Sequence, residues 1–463
     1  MKTKNLLTIA ALALMTAACG NDDDLMQQPA EQTADNNEIT VTATLAPKSD
    51  GITRAVAYNG TTITSSWAEG EQIAILFNIS GTPSKRIAEV KSVDAGTATI
   101  EFTIPATGVN ENAPATLVYP ATAAKDDNSG AKAFTDLLAE QDGTLKADLD
   151  VRVGTGTISP STSTLTVPAC PDALFAIFKL TLNKSIDATH PLYIYDGTDN
   201  LISTVTPTSS TEEPYVAMPA TGSSAFYSFV VDVDNNKYYK SGTATINPGY
   251  FYTQVMNLAT RYPRALAGAT KIDLGCLIGH DGNIYANAGA ATTAGTTAEA
   301  LITYVGNDAE TNTTYNHGLA LALSDASTSA AWCSQTDAAC LADQYYSSMT
   351  SDMAGIANTD ALVGHATHTH AAASAARNYN SGFHPTGTSD WFLPSAGQWQ
   401  KMIDAAGGYS NLMTRASLQS AKYWSSTEDI DVTFAWRYDI VWGGEWNYVI
   451  KDFGSYVRSA LAF

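Results

Sequence analysis

Ile39, Val41 and Ala43 alternate with Thr40, Thr42 and Thr44, and the same two-residue period returns at Ile73, Ile75 and Phe77 and at Ile100, Phe102 and Ile104. A period of two sends successive side chains to opposite faces, so each run predicts a half-buried β-strand. No strong helical pattern intervenes. A second β-rich segment has its clearest strand over Leu174, Phe175, Ile177, Phe178, Leu180 and Leu182, and it closes near Gly249, Tyr250, Phe251 and Tyr252. From about Thr270 the pattern changes. Leu274 and Gly275, then Asp281, Gly282, Asn283, Ile284 and Tyr285, read as a strand, a tight turn and a return. Leu301, Ile302, Tyr304 and Val305 predict another strand, and Leu319, Leu321 and Leu323 a third. Ser395 and Gln398 stand at capping-box spacing, which opens a helix carrying Trp399, Met402 and Ile403 and stopping at Gly407 and Gly408. An earlier helix is predicted over the Ala-rich stretch 371–376. The expected fold class is mostly β with an α+β C-terminal domain.

Charge narrows the partners. The chain of 463 residues carries a formal net charge of −21, which argues against nucleic acid and anionic membrane, since both are bound through basic patches. The length suggests two to four domains. Lys2 and Lys4 precede an apolar stretch from Leu6 to Met15, and Ala17 and Ala18 lead into Cys19, the layout of a secretory signal. That stretch is short of the ~20 residues a membrane-spanning helix needs. A cysteine at this junction resembles a lipobox, although Thr16 stands where that family prefers Leu. The resemblance implies that Cys19 is lipidated and that the chain meets the membrane through its lipid anchor alone. Gly20, Asn21, Asp22, Asp23 and Asp24 follow, similar to the surface-export signal of lipoproteins in Gram-negative anaerobes. The expected divisions are a signal peptide over 1–18, a lipidated tether over 19–37, β domains over 38–150 and 151–264, and a ligand-binding domain over 265–463.

Setting Cys19 aside leaves Cys170, Cys276, Cys333 and Cys340, an even number in an oxidising compartment. Cys333 and Cys340 are close enough in sequence to close a small loop, and a disulfide is expected there. Cys170 and Cys276 fall in different predicted domains and are expected to be thiols. His365, His368 and His370 invite a zinc reading. Helical metal ligands want i, i+4 spacing, which these three do not supply, so no metal and no cofactor is expected. G-x-S-x-G, H-E-x-x-H and Walker patterns are absent, and no enzymatic activity is expected.

Six of the eight tryptophans fall between Trp391 and Trp446. They stand in a fixed setting of Trp391, Phe392, Leu393, Pro394, Ser395, then Trp399, then Tyr423, Trp424, Ser425, Ser426, Thr427, Glu428. Ala435, Trp436, a Gly443, Gly444 turn, Tyr456, Val457, Arg458 and Phe463 complete it. This run resembles the C-type lectin-like fold in its short bacterial form, including domains diversified by retroelements. A two-residue Gly443, Gly444 turn would oppose Trp442 with Glu445 and Val441 with Trp446. One face would then carry Arg437, Asp439, Val441, Trp446, Tyr448 and Ile450. The other would carry Trp436, Tyr438, Ile440, Trp442, Glu445, Asn447 and Val449 into the core. Matching the diversified positions by motif implies ligand contact at Arg437, Asp439, Val441, Trp442, Trp446 and Tyr448. A hairpin whose aromatics are simply packed is the other reading. The Glu-Pro-Asn and Gln-Pro-Asp triplets of calcium-dependent sugar binding are absent, which leaves a host or bacterial surface protein, or a glycan bound without calcium.

A second resemblance covers the β-rich half. Thr53, Arg54, Ala55, then Trp67, Ala68, Glu69, Gly70, Glu71, Gln72, Ile73, with Tyr119, Pro120 and Gln141, Asp142, Gly143, Thr144, Leu145, is similar to fimbrillin-type pilins. It implies two fimbrillin-like β-sandwich domains and assembly with pilus shaft or adaptor subunits by β-strand addition. In that family a protease cuts after an arginine, the leading strand departs and a neighbour's strand fills the groove. Here the cut would fall between Arg54 and Ala55 and remove Glu38 to Arg54, with Arg86 and Arg152 as alternatives. Val457 and Phe463 read as core rather than as a donated arm, which implies a pilus-tip position at the cell surface. The competing reading is a lipid-anchored outer-membrane receptor that never polymerises.

Overall fold

Residues 38–48, 57–58, 63–64, 66–145, 149–233, 236–337 and 339–463 are described by the computed structural model. Strand alternation decides the first body. β1 (Glu38–Leu45) buries Val41, Ala43 and Leu45 and turns its threonines to water. The short β2 (Ala57–Tyr58) and β3 (Ile63–Thr64) pair with each other. Next come β4 (Gln72–Ile79), β5 (Thr82–Asp94), β6 (Thr97–Pro105) and β7 (Ala113–Tyr119). A short helix α1 (Phe134–Leu138) and the bridge strand β8 (Glu140–Gln141) follow, and then β9 (Arg152–Ser159), β10 (Thr164–Thr166) and β11 (Asp172–Ala173). β1 runs antiparallel to β6 along its whole length and meets β10 on its other side. Because β10 also pairs with β9, the sheet closes on itself around Val41, Ile73, Ile100, Leu117, Ile158 and Leu165.

This closure corrects the expected division at 150. Arg152–Ser159 continues the first sheet by pairing residue for residue with β7, and Ile158 and Leu165 belong to its core. After β8, which pairs with a strand of the second body, the chain returns to the first sheet and leaves it for good after β11.

The second body is a sandwich. β12 (Phe175–Leu182) lies between β15 (Tyr215–Pro219), antiparallel, and β18 (Phe251–Met256), parallel. The facing sheet contains β13 (Leu192–Tyr195), β14 (Leu201–Val205), β16 (Ser224–Val233), β17 (Asn236–Thr245) and β19 (Ala259–Thr260), with β8 of the first segment added at its edge. Leu180, Ile194, Met218 and Val231 fill the space between. The first two bodies also share a buried apolar cluster of Ala74, Leu76, Val118, Leu138, Phe175, Ile177 and Ala217.

At the junction with the third body, fully buried Asp273 accepts hydrogen bonds from Arg261 Nε at 2.8 Å, Tyr262 Oη at 2.7 Å and Arg264 Nη1 at 3.3 Å. Lys237 of β17 reaches across to the carbonyls of Ile272 and Leu274 at 2.8 and 3.1 Å.

The third body has one sheet of β20 (Arg264–Ala265), β21 (Leu277–Gly279), β22 (Asn283–Tyr285), β23 (Ala298–Val305), β24 (Gly318–Ala322) and, at its far edge, the last strand of the chain. A second sheet is built from β25 (Ser327–Ala330), β26 (Lys422–Glu428), β27 (Phe434–Asp439), β28 (Glu445–Ile450) and β29 (Ser455–Val457). That last strand is β30 (Ala460–Ala462). Around the sheets stand α2 (Ala288–Thr293), α3 (Gly355–Val363), α4 (Ala371–Arg377), α5 (Ala396–Ala405) and α6 (Tyr409–Arg415). α5 opens on the expected Ser395/Gln398 capping box, and Gly407 follows it in the left-handed region at φ 77°.

The tryptophan run is largely core. Trp332, Trp391, Trp399 and Trp424 are fully buried, and each indole N–H donates to a backbone carbonyl, of Ser425, Phe383, Trp424 and Ala330 respectively. A buried indole without such a partner would forfeit about 1–3 kcal/mol. β30 is buried on both faces, and a Cβ on Gly318 would stand 2.2 Å from the Phe463 ring. Among the described residues no helix is long and apolar enough to cross a membrane.

Candidate ligand-recognition hairpin

β27 is flanked by β26 and by β28, which forms the sheet edge. The hairpin does not turn on two glycines. The observed register pairs Asp439 with Glu445, Tyr438 with Trp446, Arg437 with Asn447 and Trp436 with Tyr448. The loop is therefore Ile440 to Gly444, and the register differs from the expected one by three residues. An odd shift turns every side chain of the second strand to the other face, so both expected faces are corrected.

The cause lies in Asp439. Its Oδ1 accepts from the backbone N–H of Val441 at 3.1 Å and of Trp442 at 3.4 Å, which ends β27 four residues before the first glycine. Gly443 and Gly444 then both take positive φ, 97° and 83°. At Gly444 the requirement is also steric, because a Cβ would lie 2.5 Å from the Tyr409 ring and 2.8 Å from Tyr438 Oη.

One face of the hairpin is a polar lattice. Arg437 Nε donates to Asn447 Oδ1 at 2.8 Å and its Nη1 to Ser455 Oγ at 3.1 Å. Asn447 Nδ2 in turn donates to Asp439 Oδ2 at 3.0 Å, and Lys422 Nζ lies 3.0 Å from the same oxygen. Arg437 is 9% exposed and Asp439 1%. Burial lowers the Arg437 pKa from its ordinary value, and the Asp439 carboxylate acts against that. These two side chains brace the loop from behind.

The opposite face is aromatic. Phe434 and Trp436 meet Tyr448 edge to face at 5.3 and 5.2 Å, and Tyr438 meets Trp446 at 5.1 Å. Trp446 is half-buried and donates to Gln400 of α5 at 3.0 Å. The side chains offered to solvent are Trp442 at 73% exposure, Val441 at 51% and Tyr448 at 47%. The six expected contact residues thus divide into a tip of Val441 and Trp442, a flank of Tyr448 and Trp446, and a buried brace of Arg437 and Asp439. Sequence reasoning missed Asn447, Lys422 and Tyr409 as parts of this frame. The Asp-x-Val-Trp spacing that captures two backbone N–H groups was the available signal.

Cys19, Arg54 and Ala55 lie outside the described residues. Of the alternative cut positions, Arg86 lies within β5, and Arg152 is 1% exposed with its Nε 2.8 Å from Asp150 Oδ1. The expected Cys333–Cys340 disulfide is not closed. The two sulfurs are 3.5 Å apart, against ~2.05 Å for a bond. Burial pushes the Cys340 thiol up to about 12. His370, close in sequence to His365 and His368, has Nε2 3.9 Å from Cys333 Sγ, and burial lowers its pKa to about 4.

No protein-family model and no curated protein matches the sequence. Among solved structures, a fimbrial assembly protein from Parabacteroides distasonis shares 12% identity, covers 47% of this chain and 90% of its own, and superposes with a TM-score of 0.27. A candidate cell adhesion protein from Bacteroides ovatus does so at 9% identity, 48% and 95% coverage and a TM-score of 0.26. Another from Bacteroides eggerthii gives 13%, 48%, 86% and 0.25.

Proposed function

We propose that this chain is a surface adhesion subunit that joins a pilus by strand exchange and recognises a protein or a calcium-free glycan through the Val441–Trp442 tip. The observation that carries the recognition half is the contrast between an indole 73% exposed at the tip and an almost fully buried polar brace behind it. A rigid aromatic offered to solvent loses little side-chain entropy on binding and is the residue type most enriched at hot spots. The C-type lectin-like reading of the third body belongs to this proposal, supported by the tryptophan run and by the edge hairpin.

The assembly half rests on β1. Withdrawing it would leave β6 with an unpaired edge and uncover the apolar faces beneath Val41, Ala43 and Leu45, a groove suited to another chain's alternating strand. A tip position fits with β30, which is buried on both faces and so poorly suited to donation. One observation favours the non-polymerising lipoprotein receptor instead: β1 is paired along its whole length inside a closed sheet.

Immunogold labelling of intact cells with an antibody against residues 270–463 separates the two. Gold at filament ends is the expected result, and gold scattered over the outer membrane would overturn the pilus assignment. For recognition, full-length protein carrying Trp442→Ala is expected to lose binding to intact target cells while keeping its thermal stability.

A further inference from the structure

Behind the hairpin, three residues from two segments converge on one buried point. Cys333 and Cys340 come from the loop after β25, and His370 is the residue that precedes α4. They are 0%, 7% and 2% exposed. Their Sγ, Sγ and imidazole nitrogen atoms all lie within 4.8 Å of one another, with 3.5 Å between the sulfurs and 3.9 Å from Cys333 Sγ to His370 Nε2. Two thiolates at about 2.3 Å from a tetrahedral zinc stand about 3.8 Å apart, and a thiolate and an imidazole nitrogen about 3.6 Å apart. The sulfur–sulfur edge and the Cys333–His370 edge match those of a metal site within a few tenths of an ångström, and the third edge lies within 4.8 Å. They are far from those of a disulfide.

The surroundings have the form of an outer ligand shell. His370 Nδ1 donates to the Trp332 carbonyl at 3.2 Å, which fixes the tautomer and leaves the Nε2 lone pair facing the sulfurs. The Gln335 N–H donates to Cys333 Sγ at 3.3 Å, and Lys451 Nζ lies 3.7 Å from Cys340 Sγ. At Cys340 the Lys451 ammonium group acts against the burial that raises the thiol. Lys451 is itself paired with Glu428, whose carboxylate also accepts from the N–H groups of Cys340 and Leu341. The pair is neutral in sum, so two thiolates would balance one divalent cation in a buried place. At the rim, the His365 ring lies 5.3 Å from that of His370 and 4.5 Å from that of His368. His368 Nδ1 is buried with no hydrogen-bond partner.

We propose that Cys333, Cys340 and His370 hold a divalent soft or borderline metal ion, zinc by preference, with the fourth position supplied from the His365/His368 pair. Zinc follows from the donors, because thiolate and imidazole select it over calcium and magnesium. Binding exchanges two thiol protons for the ion, with no change of oxidation state. The site would tie the loop after β25 to α4 at the foot of the hairpin. The Lys451 carbonyl just after β28 already accepts from the N–H groups of Trp332 and Cys333. The role is structural and independent of what the tip binds.

The test uses full-length protein, reduced, stripped with a chelator and titrated with cobalt(II) as a spectroscopic stand-in for zinc. The expected result is one ion per chain with thiolate-to-cobalt charge-transfer absorption and tetrahedral d–d bands, displaced by zinc. Both signals should be lost in Cys333→Ser and in His370→Ala, and weakened in His368→Ala. Hydrogen exchange is expected to slow in Trp332–Leu341 and β28 on zinc addition. Reduced wild-type protein that binds no cobalt, or binds it without the charge-transfer band, overturns the site without any variant having to fold. An isolated chain lighter by two hydrogens, with a Cys333–Cys340 bridge that survives as the only form under reduction and metal, overturns it as well.

Discussion

The first and last described strands are both apolar on a buried side, yet they are held in different ways. β1 buries one face, Val41, Ala43 and Leu45, and leaves Thr40, Thr42 and Thr44 exposed. β30 buries both, and the ring of Phe463 occupies the space a side chain on Gly318 would take. Just beyond β1, Lys48 is 5% exposed, and its ammonium group lies 3.8 and 4.0 Å from the Trp67 and Tyr119 ring centres. Its carboxylate partners stand off at 3.8 Å for Glu71 and 3.6 Å for Asp150, and none of the three facing atoms has a hydrogen bond. A strand with one wet face and a loosely compensated charge at its end can be parted from its sheet at limited cost. A strand with two dry faces cannot.

The sharpest way to break this comparison is to remove each strand. Deleting Ala460–Phe463 is expected to abolish hydrogen-exchange protection throughout 264–463. Deleting Glu38–Leu45 should strip it mainly from β6 and β10, with the second and third bodies still protected. General loss in the second case would show that β1 is as integral as β30. Lys48→Met leaves Glu71 Oε2 and Asp150 Oδ2 without their shared ammonium group, while Arg152 still holds Asp150 Oδ1, and a loss of about 3–5 kcal/mol in denaturant unfolding of the first body is expected.

The same lysine predicts a pH dependence. Burial pushes Lys48 from its ordinary 10.5 to about 8, so the folded state resists protonation more than the unfolded chain. The stability tied to this group is complete above the ordinary lysine range and is lost as pH falls through about 8, a difference on the order of a few kcal/mol. Denaturant midpoints of the first body should rise from pH 8 toward 10.5, and this rise should vanish in Lys48→Met. Gly318→Ala should cost about 1–3 kcal/mol in the third body through overpacking against Phe463. Smallest of all, Trp442→Ala should shift stability by no more than about 0.5 kcal/mol.

Local rules with one dominant cause could be read from sequence. The period-two run at Ile39–Thr44 became a strand, and Ser395 with Gln398 became a capping box, because each signal is satisfied within a few residues. The hairpin register could not be read this way, because Gly443 and Gly444 advertise a turn while Asp439, four residues earlier, ends the strand first. Nor could spacing reveal the Cys333, Cys340 and His370 cluster, whose members join only when α4 packs beside the loop after β25. The division at 150 failed for a related reason. β9 looks like the start of something new along the chain, but in space it is the strand that lets β10 close the first sheet.

The junction between the second and third bodies has a mechanical consequence. Asp273 gathers Arg261, Tyr262 and Arg264 from the connecting segment itself, while Lys237 bonds across it from β17. A pull applied at the Trp442 tip and resisted at the other end would meet these bonds as a set loaded together, and no single contact would have to yield alone. The linker would then behave as a stiff coupling, passing drag on a bound ligand into the strands of the second body before the joint itself extends.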